Sequence, residues 1–132
     1  MSDDKQGSTS QCQLRLQFVP TPRKLSHPAR ANAAGLLWNL LLLDESQYGA
    51  RMRAAELGAV PLLVYMLQYG DCEGQCNAAG ALATMAFSSS ELRGHIQECG
   101  GVPALLDILY HYEHTSSEKS MAANALFHLC LN

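Results

Sequence analysis

The sequence predicts an all-α fold of the right-handed α-solenoid class, with about two and a half stacked helical repeats. Two observations carry this prediction. Three apolar, Ala-rich stretches recur along the chain, and a Gly-x-Val-Pro turn occurs twice. The stretches span 32–41, 77–87 and 121–130. Because none has a polar side broad enough to stand alone in water, each must be covered by neighbouring helices.

The repeat period can be measured from equivalent residues. Pro61 and Pro103 of the two Gly-x-Val-Pro turns are 42 residues apart. Leu37, Leu82 and Leu126 of the three apolar stretches are 45 and 44 residues apart. A period in the low forties is typical of repeats with two or three helices, and it excludes the shorter repeats of 33 or 34 residues.

The helices are predicted in order from their start and stop signals. Gly58, Gly70 and Gly100 end helices, and Pro28, Pro61 and Pro103 open them. Ser26 can cap the first helix, and the segments 88–91 and 115–118 are predicted capping boxes. The predicted helices, with their caps, span about 26–43, 46–57, 60–69, 74–87, 88–99, 102–112 and 115–131. A lone helix thus precedes two complete units, 46–88 and 89–131.

A core ladder is predicted along the recurring helices. Its members are apolar residues at the same register: Leu37, Leu82, Leu126, Leu40, Met85 and Leu129. Apolar side chains are also expected at the two ends of the stack, namely Leu36 and Leu41 at one end and Leu129 and Leu131 at the other. Exposed ends of this kind favour either homo-oligomers or a longer solenoid.

Charge divides the chain into a predicted flexible basic tail, 1–25, and a repeat domain, 26–132. Residues 1–30 carry five basic and two acidic residues, whereas residues 31–132 carry four basic and ten acidic ones. The acidic body argues against nucleic acid as a ligand and favours a basic protein partner. The tail is expected to be solvated; the alternative is that 15–30 folds back onto the acidic body.

The chain is expected to be soluble and intracellular, in the cytoplasm, the nucleus or both. The N-terminal residues lack the apolar segment of a signal peptide, and no apolar run reaches the roughly 20 residues that a membrane helix needs. Five cysteines at irregular spacing do not predict a disulfide framework, and buried thiols are expected at Cys76 and Cys130.

No enzyme activity, cofactor or metal is predicted. The sequence has no phosphate loop, no Gly-rich dinucleotide motif and no nucleophile elbow. His111, Glu113 and His114 lie together, and Cys72 and Cys76 lie elsewhere, but this spacing does not form a usual zinc set. A helix end rich in Tyr and His beside solvent explains the histidines.

The recurring turn and helix resemble the armadillo repeat family. The matching residues are Gly58-Ala59-Val60-Pro61-Leu62-Leu63 and Gly100-Gly101-Val102-Pro103-Ala104-Leu105, together with Asn77-Ala78-Ala79-Gly80-Ala81-Leu82. The resemblance covers about 26–132, and a HEAT solenoid is the nearest alternative. It implies a three-helix repeat whose third helices line a concave groove that binds an extended peptide.

The resemblance also implies a set of partner-binding residues. The position of the family's ligand-binding Asn falls on Asn39, Thr84 and His128, and the position of the Trp found in some members falls on Gly35, Gly80 and Asn124. Trp38 and Phe127, one position before the Asn site, are expected at the groove edge. Because only Asn39 keeps the family residue, binding of a classical nuclear localisation signal is not expected.

The resemblance, together with the acidic body, implies a protein–protein interaction scaffold or adaptor that binds an extended peptide or partner along a concave acidic groove. The alternative is a homo-oligomerising structural module or a fragment of a longer solenoid. Protein or peptide partners, basic ones among them, are expected in either case.

Overall fold

A computed structural model describes residues 27–43 and 49–131. The predicted basic tail, the Ser26 cap and the loop at 44–48 lie outside the described residues. Within the described part, every regular element is a helix, which confirms the predicted all-α class and its α-solenoid architecture. No described helix is long and apolar enough to cross a membrane.

Seven helices follow one another in the described residues. They are α1 His27–Leu42, α2 Gly49–Glu56, α3 Ala59–Tyr69, α4 Cys72–Ser88, α5 Ser90–Glu98, α6 Gly101–Tyr110 and α7 Ser116–Leu129. Two units of three helices, α2–α4 and α5–α7, thus follow α1. The predicted order is confirmed, with helix ends displaced by at most three residues.

The third helices of successive units form the backbone of the stack. Helix α4 packs between α1 on one side and α7 on the other. Helices α3 and α6 pack behind α4 and α7, and α6 also packs on α3. Each unit therefore buries its apolar residues partly within itself and partly against the next unit, as expected of a solenoid.

Glycine and proline set the corner between the first and second helix of each unit. Gly58 and Gly100 have φ of 93° and 87°, in the left-handed region that residues with a Cβ rarely occupy. Pro61 and Pro103 follow in the first turn of α3 and α6, where the missing N–H costs no helical hydrogen bond. The recurring Gly-x-Val-Pro motif is therefore a helix–helix corner.

Side-chain caps start α4, α5 and α7. The Asp71 side chain accepts from the N–H of Gly74 at the start of α4. The predicted capping box at 115–118 is confirmed, because Thr115 and Glu118 satisfy each other's backbone N–H groups. The box predicted at 88–91 was wrong by one residue: Ser89 caps α5 by accepting from Leu92, and the hydroxyl of Ser88 bonds back to its own helix.

The predicted core ladder is confirmed in the two complete units and at Leu37 of α1, which packs against the core, but it is wrong at Leu40. Leu82, Met85 and Leu129 are buried, and Leu126 is half-buried. Leu40, however, is 53% exposed. Its equivalent Met85 is buried on α4, which packs on α3 of its own unit, whereas no described helix precedes α1.

The prediction that four leucines at the two ends of the stack are exposed is confirmed in part. Leu36 and Leu131 are exposed, as predicted. Leu41 and Leu129 are buried, so that part of the prediction was wrong. Leu41 belongs to the core cluster at the end of α1, and Leu129 takes the register of buried Met85 within its own unit.

An arginine in the first helix of each unit binds the end of the preceding unit. Arg51 is buried, and its Nε and Nη2 both donate to the carbonyl of Leu41, each at 3.2 Å. Arg93 stands 42 residues further on and donates to the carbonyl of Ala86 at 2.8 Å. These carbonyls lie in the last turns of α1 and α4, where a cation also opposes the negative end of the helix dipole.

Candidate partner-binding site

The three residues at the predicted peptide-binding position lie on neighbouring helices. Asn39 is on α1, Thr84 on α4 and His128 on α7, and these helices pack in that order. Asn39 is exposed, whereas Thr84 and His128 are half-buried. The three side chains therefore differ in what they can offer to a ligand.

The hydroxyl of Thr84 is already engaged. It donates to the carbonyl of Gly80 at 2.9 Å, and it accepts from the Nε1–H of Trp38 at 3.2 Å. A hydroxyl has one donor and two acceptor lone pairs, so Thr84 can only accept from a ligand. Its main effect is to orient the Trp38 indole.

The Trp38 indole lies against Gly80 on the next helix. A Cβ at Gly80 would overlap the indole, so this contact requires glycine. Beside it, the Asn77 amide donates to the carbonyl of Ala31 at 2.9 Å and lies close to half-buried Gly35. Trp38, Gly80 and Gly35, which the family resemblance places in the groove, thus also join α1 to α4.

His128 lies between two phenylalanines. Its ring meets Phe87 edge-on at 5.3 Å between centroids and Phe127 at the same separation, with interplanar angles of 76° and 67°. Phe87 and Phe127 are 58% and 62% exposed. His128 Nδ1 is buried and has no hydrogen-bond partner in the described part of the chain. We call Phe87, Phe127 and His128 the aromatic cluster.

The aromatic cluster contains a residue that the sequence analysis did not identify. Phe87 lies three residues after Thr84, on the same side of α4. Its equivalents, 45 residues before and 44 after, are Leu42 and Leu131, which are 56% and 38% exposed. The sequence signal that could have identified Phe87 is this recurrence of an apolar residue at one register outside the core ladder. Asn124, a turn before His128, is exposed.

The histidines near the end of α6 are held by carboxylates. His111 Nε2 lies 3.0 Å from Asp107, and His114 Nδ1 lies 2.6 Å from Glu118. Across the described ranges, no group of three or more His, Cys, Asp or Glu is arranged to hold a metal ion. The two histidines act there as helix-end partners of acidic residues.

Glu118 has the most perturbed carboxyl environment in the described residues. Burial alone would raise its pKa, but hydrogen bonds from Cys72, Thr115 and His114 outweigh burial and lower the pKa to about 2. The charged carboxylate therefore completes the capping box of α7 and ties it to the start of α4.

Three described cysteines are free thiols: Cys72, Cys76 and Cys130. Burial was predicted for Cys76 and Cys130, but Cys76 is half-buried and Cys130 is exposed, so the prediction was wrong for Cys130. A hydrogen bond to Glu118 raises the pKa of Cys72, and burial raises that of Cys76. Both shifts disfavour the reactive thiolate.

A separate cavity of about 430 Å³ opens between the first helices of the two units. Met52 and Glu56 of α2 line one side, and Glu91, His95 and Glu98 of α5 line the other. None of the predicted partner-binding residues lines it. Glu56, Glu91 and Glu98 make the lining of this cavity acidic.

Helices that stack in threes, with glycine–proline corners and a shared core, define the class of α-solenoid repeat proteins. Residues 50–87 match the family model of the Armadillo/beta-catenin-like repeat. Over these residues the match confirms the resemblance of the chain to the armadillo repeat family.

Curated relatives match a longer stretch of the chain. Over 83 residues, this chain is 36% identical to the splicing regulator ARVCF of Homo sapiens, and it is 36% identical to the same protein of Mus musculus and of Rattus norvegicus. The matched stretch covers 62% of this chain and 8% of each relative, so the chain spans less than a tenth of their length. No solved structure gave a significant match.

Proposed function

We propose that this chain is a protein–protein interaction module that binds an extended peptide or a partner segment across the third helices α1, α4 and α7. Armadillo repeats generally mediate protein–protein interaction. The observation that carries the finer proposal is the aromatic cluster, in which two exposed phenylalanines flank a half-buried histidine on neighbouring helices.

The chemistry of the proposed site is mixed. Phe87 and Phe127 offer apolar area to a ligand side chain, and aromatic residues dominate the energetics of many interfaces. The exposed Asn39 amide can both donate to and accept from a peptide backbone. Thr84 supplies an acceptor and holds Trp38 in place. Asn124, which is exposed, and Gly35 and Gly80, which lie where α1 meets α4, complete the proposed set.

The acidic body favours a partner with basic segments. We propose that the module acts as a non-enzymatic scaffold or adaptor, without cofactor or metal, in the cytoplasm or nucleus. The match to splicing regulators makes complexes that act in splicing one place to search for the partner.

A crosslinking experiment tests the site. A photocrosslinking phenylalanine analogue at Phe87 should capture a partner from a cell extract, whereas the same analogue at Leu57 should not. Leu57 is a matched control because it is 62% exposed but lies at the end of α2. The captured partner is then identified and its binding is titrated against purified variants.

We expect Phe87→Ala and His128→Ala each to weaken binding of the identified partner roughly tenfold, as loss of a central anchor residue does. Asn39→Ala should have a smaller effect. Unchanged affinity in all three variants, with helical content preserved in circular dichroism, would remove the proposed site.

A further inference from the structure

We infer that residues 14–18 of this chain bind in the cavity between α2 and α5. In this arrangement Leu16 and Phe18 lie against its apolar floor, and Arg15 lies beside the carboxylates at its rim. The cavity is formed between the first helices of the two complete units, so it does not arise from the ends of the stack. None of the proposed partner-binding residues lines it, and the inference is therefore independent of the proposed function.

The cavity combines an apolar floor with an acidic rim. Its volume of about 430 Å³ lies within the range of roughly 300–1,000 Å³ that is usual for ligand sites. The floor is formed by apolar residues that are buried or half-buried: Met52, Ala55, Pro61 and Leu92. The rim carries three exposed carboxylates: Glu56, Glu91 and Glu98. A segment that fills this cavity therefore needs apolar side chains together with a cation.

The sequence of residues 14–18, which lie outside the described residues, has this combination. Its residues alternate between apolar and polar: Leu14, Arg15, Leu16, Gln17 and Phe18. Side chains of an extended chain alternate between two sides, so the three apolar residues share one side. Arg15 has an apolar stem and a charged head, and its length allows the head to meet a carboxylate at the rim while the stem covers apolar surface.

The chain between this segment and α1 is long enough to reach the cavity. Helix α1 begins at His27, and its 16 residues extend over about 24 Å. Its last turn contacts α2 through Arg51, which donates to the carbonyl of Leu41 and is followed by Met52 of the cavity floor. The path from the start of α1 to the cavity is thus on the order of 30 Å. Phe18 precedes His27 by nine residues, which span roughly 30 Å when extended, and the residues before Phe18 reach further.

Covalent attachment favours this segment over a separate basic peptide, because a short flexible linker gives an effective concentration on the order of millimolar. Glu56 accepts from Arg53 at 3.3 Å, but both side chains are exposed and such pairs are weak, so Arg53 does not exclude another cation. Glu91 and Glu98 are two turns apart on α5 and line the same cavity. Their carboxylates are the proposed partners of Arg15.

Two native cysteines allow the inference to be tested in the full chain. Cys12 stands two residues before Leu14. Cys99 follows Glu98, and its Sγ lies 4.0 Å from Nδ1 of His95, another residue that lines the cavity. The reduced protein, treated in dilute solution with a short bismaleimide, should form an intramolecular link between Cys12 and Cys99, which peptide mass spectrometry identifies. Links from Cys12 that favour none of the other four cysteines, or that join two molecules, would overturn the inference.

Charge reversal provides matched variants for the same measurement. Arg15→Glu and Glu91→Lys should each lower the yield of this link roughly threefold, because exposed ion pairs contribute modestly to binding. The double variant restores opposite charges and should recover most of the wild-type yield. Lys5→Glu makes the same change in net charge outside residues 14–18 and should link like wild type. Circular dichroism checks that each variant remains helical. An Arg15→Glu variant that links as well as Lys5→Glu, or a double variant that recovers nothing, would contradict the proposed contact.

Discussion

Helices α4 and α7 occupy the same position in successive units but differ in how much of their surface is covered. Helix α4 has a third helix on each side, and residues 78–83 are all buried. Helix α7 packs on α4 and α6, and its far side exposes Ala123, Asn124 and Phe127. The second helices differ in the same way, since Val64 of α3 is 3% exposed and its equivalent in α6, Leu106, is 36% exposed.

The difference shows that burial in this fold depends on the position of a unit in the stack as well as on its own sequence. An apolar residue at a given register is a core residue where a neighbour is present and a surface residue where it is absent. The energetic consequence of one substitution should therefore change from unit to unit, and the following predictions test this.

The largest effect is expected for the core leucines at equivalent positions. Leu82 is fully buried, whereas Leu126 is half-buried. Leu82→Ala should lower the free energy of unfolding by about 3–5 kcal/mol, because it removes apolar contacts and leaves a cavity between three helices. Leu126→Ala should cost about 1–2 kcal/mol. Urea unfolding followed by circular dichroism measures both, and equal losses would contradict the dependence on position.

A smaller effect is expected from two glycine substitutions. Gly80→Ala should destabilise the protein by about 1–3 kcal/mol, because the added methyl overlaps the Trp38 indole. Gly94→Ala is the matched control: a Cβ at Gly94 in α5 meets open space. This change should stabilise the protein by about 0.5–1 kcal/mol, since alanine favours a helix. Thermal unfolding of both variants measures the opposite signs; destabilisation by both would show that the indole does not decide the result.

The smallest effect is expected at the N-terminal capping box of α7. Because the pKa of Glu118 is lowered from 4.5 to about 2, its ionised form stabilises the folded state above pH 4.5. That contribution, on the order of 1–2 kcal/mol, should be lost as pH falls from 4.5 towards 2. Glu118→Gln should remove most of the loss, which urea midpoints across this pH range would detect. A variant whose midpoint falls with acid as steeply as wild type would exclude Glu118 as the source.

Much of the fold could be predicted because its signals are local. Gly58 and Gly100 end helices through their own backbone preference, and Thr115 and Glu118 close a box within one turn. The register of Leu82 and Met85 follows from spacing alone. The error at Leu40 arose because spacing assigns a register but does not say whether a neighbouring helix is present.

The candidate site was less predictable because it depends on contacts between units. Nothing in the local sequence indicates that the Trp38 indole bonds to Thr84, 46 residues away. The edge-on contact of Phe87 with His128 likewise joins two helices whose side-chain rotamers the sequence does not set. Only the recurrence of exposed apolar residues at Leu42, Phe87 and Leu131 could have pointed to this surface.

The two arginines at the starts of successive units make the hydrogen-bonded boundary differ from the sequence boundary. Arg93 is part of α5, yet the carbonyl that it binds belongs to Ala86 of the previous unit. Excising 89–131 as a block would therefore strip α4 of the cation at its last turn. A unit transplanted into another protein would need the first helix of its successor as well. The module suited to grafting therefore ends one helix later than the repeat suggests.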